Sequence, residues 1–315
     1  MLQIFKYLIL SLFFNHAFAK SPQIAITQIA PHPSLDQVRQ GILDELIEQG
    51  LIQRDLSDLL YQNAQGNITI AAQIAQRFVA LSPKIIVAIA TPSAQTMLKA
   101  AKDTSIPIVF GAVTDPIGAG LVSRLQNHKG HITGTIDLPL PQAQLSLAKK
   151  ILPNLRKVGL IYNPSEKNSQ KQVKAIKEAS ISFGIEVEEA SAFKTADVAQ
   201  ATSYLTDKVE AILLTNDNTV ISALETIIKI ATKGGLPVFA SDPESVKSGA
   251  VAAVANDQYQ VGRETGVMIA NILKGQDIKK IDVQIIAASK HYFNKKTLKH
   301  FGLSSPAFDK EQLKG

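Results

Sequence analysis

Residues 106–116, IPIVFGAVTDP, and residues 236–243, LPVFASDP, carry one device twice: an apolar run opened by Pro and closed by Asp-Pro. Short apolar runs bounded by turn signals read as buried strands, and a residue before Pro is held extended or in a turn. Working outward, the first half runs strand, Pro33, helix, Gly50, strand ending at Thr91, helix, and then 106–116. The second half runs strand, Pro164, helix, Gly184, strand ending at Asn216, helix, and then 236–243. Strands are predicted at 23–29, 85–90, 106–113, 158–162, 185–189, 211–215, 236–240 and 249–254. Helices are predicted at 35–49, 68–81, 166–183 and 219–233, two of them followed by Gly where a left-handed C-terminal residue is wanted.

Alternating strands and helices predict βαβ units with parallel sheets, and the repeated order predicts an α/β chain of two Rossmann-like lobes. Strands run out into polar residues at 136–138, 256–257 and 275–280, which predicts a three-crossing hinge. The expected division is 20–137 plus 256–278 for the N-terminal lobe and 138–255 plus 279–315 for the C-terminal lobe. Parallel sheets bind ligands beyond the carboxyl ends of their strands, so two facing lobes would share one cleft.

Composition narrows the function. The 315 residues include no Cys and no Trp, so disulfides, thiolate metal sites and Cys nucleophiles are excluded. Net charge is +6, but the 33 basic residues are scattered at helical spacing, which describes a solvated surface and no nucleic-acid partner. Lys6, the apolar run 7–14 and Ala17-Phe18-Ala19 read as a secretory signal over residues 1–19, cleaved before Lys20 and leading to the periplasm. No Gly-x-Ser-x-Gly, His-Glu-x-x-His, P-loop or dinucleotide fingerprint occurs, and the His residues show no metal-ligand spacing. The expectation is a binding protein with no cofactor, no metal and no catalytic residue.

The cleft candidates follow the predicted strands. Thr91, with Pro92 and Ser93, opens a helix whose free N–H groups suit a carboxylate, although Thr91 can equally serve as a plain N-cap. Thr114 is a candidate ligand contact; its neighbour Asp115 either braces its loop or faces the cleft. Tyr162, Asn163 and Asn168 follow one strand of the second half, Asp217 and Asn218 another, and Asp242 a third. Carboxylates facing a helix N-terminus would complement a zwitterion; Asp217 and Asp242 can also be N-caps. His32, after the first strand, is a further candidate for ligand contact.

Ala88–Gln95, Ile106–Val122, Gly130–Gly134, Val158–Ser169, Thr215–Ala223 and Leu236–Ala240 together resemble the tryptophan/tyrosine-type substrate-binding proteins of ABC transporters. The resemblance implies the type I periplasmic binding protein fold, a ligand clasped between hinged lobes, and delivery to an inner-membrane permease with its ATPase. It implies an aromatic or other apolar amino acid as ligand, a monomer, and a cleft built from Thr91, Ser93, Thr114, Tyr162, Asn163, Asn168, Asp217, Asn218 and Asp242. Position 131 is His where the family commonly has Asn, and the lipid-bearing Cys of Gram-positive relatives is missing. A receptor feeding a sensor kinase or chemoreceptor is the alternative reading, with a secreted enzyme behind it.

Overall fold

The computed structural model describes residues 23–57, 59–138, 140–286 and 289–306; the expected signal lies outside them. The first half reads β1 (Ile24–Gln28), α1 (Pro33–Glu48), β2 (Leu59–Asn63), α2 (Ile68–Leu81), β3 (Ile85–Ile89), α3 (Thr91–Ala100), β4 (Ile108–Val113) and β5 (Ile132–Asp137). After α4 (Pro141–Ile151) come β6 (Lys157–Tyr162), α5 (Lys167–Phe183), β7 (Glu186–Ser191), α6 (Val198–Leu205), β8 (Ala211–Leu213), α7 (Asn218–Ile221) and α8 (Leu224–Lys233). The remainder is β9 (Val238–Ala240), α9 (Pro243–Lys247), β10 (Ala252–Asn256), α10 (Gln258–Leu273), β11 (Gln284–Ile286), β12 (Ser289–Phe293) and α11 (Lys295–His300).

Two six-stranded sheets result, ordered β11-β5-β4-β3-β1-β2 and β12-β10-β9-β8-β6-β7. Matching strands occupy matching places, so the duplication legible in the sequence is a duplication of topology. All pairings are parallel except β12 against β10. β1 and β3 are buried along their whole length, as central strands covered on both faces must be. The expected α/β architecture of two Rossmann-like lobes is present.

Helix exchange joins the lobes. After β5 the chain leaves its own sheet and α4 packs Leu145, Ala148 and Ile151 into the second core. After β10 it returns, and α10 packs Val261, Met268 and Ile269 into the first. α10 crosses α1 at backbone contact: a Cβ added to Gly262 would stand 2.1 Å from Val38 O, and one on Gly41 would stand 2.2 Å from Tyr259 O.

The third crossing differs from the expected one. Residues 279–286 were assigned to the C-terminal lobe, but β11 pairs with β5 in the first sheet. The Ile281 carbonyl accepts from Thr133 Oγ1 at 2.8 Å, and Val283 N donates to Leu125 O at 2.9 Å. The chain therefore changes lobe between Ile286 and Ser289. Four strands were not anticipated: β2, β11 and β12 are short or polar edge strands, and β5 carries buried Thr133 and Thr135 that break its apolar pattern. The helix expected over 219–233 is interrupted at Ser222-Ala223 into α7 and α8.

A cavity between the lobes

The carboxyl ends of both sheets face one cavity of about 400 Å³ of atom-free space, its mouth included. From the first lobe it is lined by His32, Ser34, Leu35, Ala90, Thr91, Ala112 and Thr114, with Asp137 and Gln258 at the hinge. From the second it is lined by Asn168, Asn216, Asn218, Ile221 and Asp242.

Five of the nine expected site residues, Thr91, Thr114, Asn168, Asn218 and Asp242, thus meet at the cavity. Ser93 is fully buried in the first turn of α3 behind Thr91, its hydroxyl unpartnered. Tyr162 lies in a separate surface depression with Pro164, Val173 and Lys177, because its place on β6 turns it to the outer face. Asn163 braces the β6–α5 loop, its N–H donating to Asp217 Oδ2 at 2.6 Å and its Nδ2 to Thr219 Oγ1 at 2.9 Å. Asp217 does not line the cavity. Its oxygens accept from Val220 N, Asn163 N and Ser169 Oγ at 2.9, 2.6 and 2.6 Å, which makes it the N-cap of α7 and a loop anchor. Burial, and then the charge of Glu166, pushes its carboxyl up. Asp242 lines the cavity while capping α9 through Ser245 N and Oγ at 2.8 and 2.6 Å. Asp115 braces its loop through Gly118 N at 2.9 Å and pairs across the cleft with Lys171 at 3.4 Å.

Thr91 is not the N-cap. α3 begins at Thr91, and the cap position is Ala90 with φ 74° and ψ 158° and no side-chain bond. Ala90 and Ala112, both at positive φ, form the floor of the cavity at the ends of β3 and β4. That region of φ/ψ is nearly reserved for Gly and costs about 1–3 kcal/mol, a strain typical of functional walls. Ala90→Gly is expected to raise stability by about 1 kcal/mol, some 2–4 °C in Tm; a melt showing no gain would remove the strain argument. The N–H groups of Thr91 and Ser93 have no intrahelical acceptor, by helix geometry.

His32, a residue weighed only as a further contact, caps α1: its Nδ1 accepts from Leu35 N at 3.4 Å. The ring proton is then on Nε2, which is buried with the Asn218 side chain beside it. Burial lowers its pKa from 6.5 to about 4, against smaller opposing effects of Asn218 and Asp36, so the ring is a neutral donor at physiological pH. Between pH 6.5 and 4 the folded state binds fewer protons here than the unfolded chain, so this contribution to stability rises with pH. From pH 7.5 to 5, wild type is expected to lose about 2 kcal/mol more than His32→Asn, which keeps a cap acceptor. The buried carboxyls, with raised pKa values and the opposite slope, are common to both proteins and cancel. Equal losses in urea melts at the two pH values would refute the assignment.

Asp137, placed by the sequence at a joint between lobes, is a buried carboxyl of the site, 5% exposed at the end of β5. It accepts from Asn256 Nδ2 at 2.9 Å, Gln258 Nε2 at 3.0 Å and, across the cleft, Asn216 Nδ2 at 2.7 Å. Burial pushes its carboxyl up, and among the described residues no cation pairs with it. Asn216 and Gln258 were also missed; a strand-end Asn and a helix-start Gln carry no sequence signal that says which way they face. Among the described residues no group of three or more His, Asp or Glu is placed to hold a metal ion.

The cavity therefore has two poles. Its first-lobe side presents donors: His32 Nε2–H, the Ser34 and Thr114 hydroxyls and the start of α3. Its hinge and second-lobe side presents acceptors: Asp137, Asp242 and the unpartnered Oδ1 atoms of Asn168 and Asn216. Leu35, Ile221, Ala90 and Ala112 supply the apolar surface between them.

Residues 23–307 match the model of the family described as ABC transporter substrate binding protein. The chain is 34% identical over 290 residues to a tyrosine-binding protein of Clostridioides difficile, covering 92% of this chain and 84% of that protein. It is similar to the crystal structure of an ABC domain in complex with L-Trp from Streptococcus pneumonia, with TM-score 0.85 and 33% identity over 92% of this chain and 97% of that one. Against the ligand-free, open structure of a substrate-binding protein from Clostridium difficile, identity is 34% over 90% and 96% of the two chains, but the TM-score is 0.66. The architecture is the type I periplasmic binding protein fold.

Proposed function

The chain belongs to the family of ABC transporter substrate-binding proteins, and from that premise we propose that it is an extracytoplasmic receptor for an amino acid with an aromatic or other apolar side chain. It closes on the ligand and hands it to a membrane permease driven by an ATPase. The observation that carries the reading is the polarity of the cavity: donors on one lobe, a buried carboxylate on the hinge that pairs with no cation among the described residues, and apolar side chains between. A free α-amino acid matches this in one molecule, its carboxylate toward His32 and α3, its ammonium toward Asp137, its side chain against Leu35 and Ile221. The relatives named for tyrosine and solved with L-Trp support the same ligand class.

Closure follows from the same contacts. The Asn216–Asp137 bond and the Lys171–Asp115 pair cross between lobes, so a ligand that neutralises Asp137 stabilises the closed form over the open one. A thermal-shift screen tests the proposal. L-Tyrosine or L-tryptophan at a hundred times its Kd is expected to add about 2.7 kcal/mol. A screen in which amino acids leave Tm unchanged while sugars or inorganic anions raise it would replace the ligand class.

A further inference from the structure

Behind the second-lobe wall lies a carboxylate that does not line the cavity. Glu166, buried at the start of α5, is saturated with donors. Its Oε1 accepts from Thr219 N at 3.1 Å and Thr219 Oγ1 at 2.8 Å. Its Oε2 accepts from Asn168 Nδ2 at 3.0 Å, Asn218 Nδ2 at 2.6 Å and Asn218 N at 3.3 Å. A carboxylate offers only acceptors, so both amide groups must turn their NH2 ends to it and their carbonyl ends away. For Asn168 the second amide proton is taken by Asn216 O at 2.8 Å, and its Oδ1 is left buried with no partner. Asn216 repeats the arrangement through Asp137, with its own Oδ1 unpartnered. An amide side chain can ordinarily present either end to a ligand; here the choice has been removed.

The geometry points to Glu166 as a positioning residue that sets ligand polarity: by holding the NH2 groups of Asn168 and Asn218, it makes the second-lobe wall a surface of acceptors that selects a primary ammonium over an α-hydroxyl. An ammonium brings three N–H donors to such a wall, whereas a hydroxyl brings one and adds lone pairs that face the carbonyl oxygens. The inference rests on the amino-acid reading and deepens it. Asp217, the neighbouring buried carboxylate, spends its oxygens on Asn163, Ser169 and Val220 and touches none of the wall amides.

Glu166→Met removes both acceptor oxygens while keeping the side-chain length, so the NH2 groups of Asn168 and Asn218 lose their shared partner and those amides are free to turn. Calorimetry on the full protein with L-tyrosine, L-tryptophan and their α-hydroxy acid analogues reads the consequence. Wild type is expected to prefer the amino acids at least a hundredfold. In E166M the amino acids are expected to bind at least twentyfold more weakly while the hydroxy acids change less than threefold, so the preference collapses. A preference retained in E166M, or an equal loss for both ligand classes, overturns the inference alone. Wild type that binds none of the four compounds sinks the amino-acid reading and this inference with it. Should E166M fail to fold, heteronuclear NMR on wild type supplies the answer: side-chain amide signals of Asn168 and Asn218 keep their shifts whether amino acid or hydroxy acid is bound. Signals that reorganise between the two ligands overturn the proposal.

Discussion

Exchanging Asp137 for Asn lowers affinity for L-tyrosine or L-tryptophan at least a hundredfold while the protein stays folded. The carboxylate is enclosed, accepts three amide N–H groups and has no cation among the described residues. An arriving ammonium supplies the missing charge in a site shielded from water. Removing one member of a buried, hydrogen-bonded charge pair costs about 2–5 kcal/mol, roughly 30-fold to several thousandfold in Kd. Asn also turns a donor into the ammonium's place and leaves one of the three supporting amides without an acceptor. Asp242→Asn is expected to cost less, because Asp242 caps α9 and the helix N-terminus already offsets its charge. Calorimetry at neutral pH separates the cases: a Kd for Asp137→Asn within threefold of wild type removes Asp137 from the ligand site.

Gly262→Ala is expected to destabilise the protein by about 3 kcal/mol or more, at the upper end of overpacking effects. α1 and α10 cross so closely that the new methyl would stand 2.1 Å from Val38 O and 3.0 Å from Gly41 Cα. Both obstacles are backbone, so no side chain can swing aside. Ordinarily Ala is the better helix former by about 1 kcal/mol, and the predicted sign reverses that preference. Because α10 is the return crossing and begins at Gln258, a partner of Asp137, the same substitution weakens ligand binding as well. A urea midpoint that places Gly262→Ala within 0.5 kcal/mol of wild type would show that the helices can separate without loss.

The central strands of both lobes were legible because they are covered on both faces and leave a continuous apolar signature, as Ile85–Ile89 does. Helices with one buried stripe were legible through their period. Edge strands such as Leu59–Asn63 and Gln284–Ile286 were not, since a half-exposed strand three to five residues long leaves no pattern distinguishable from a loop. The site was legible in outline. Residues after strand ends were the right place to look, but Asp217 and Asp137 are the same residue type in equivalent settings. Asp217 turns down to cap its own helix; Asp137 ends β5 where the chain crosses between lobes and is left facing the cleft.

By itself, the sequence determined the repeated βαβ architecture and the cleft between its halves, which depend on periodicity, punctuation and local turn chemistry, while its motifs carried the resemblance to the family. Only the tertiary structure decided which polar groups meet in the cavity, which end each amide presents, and where the chain changes lobe for the third time. Those depend on contacts between residues far apart in the chain, such as Asp137 with Asn216 and Gln258 or Glu166 with Asn218, and a linear pattern holds no record of distance across space.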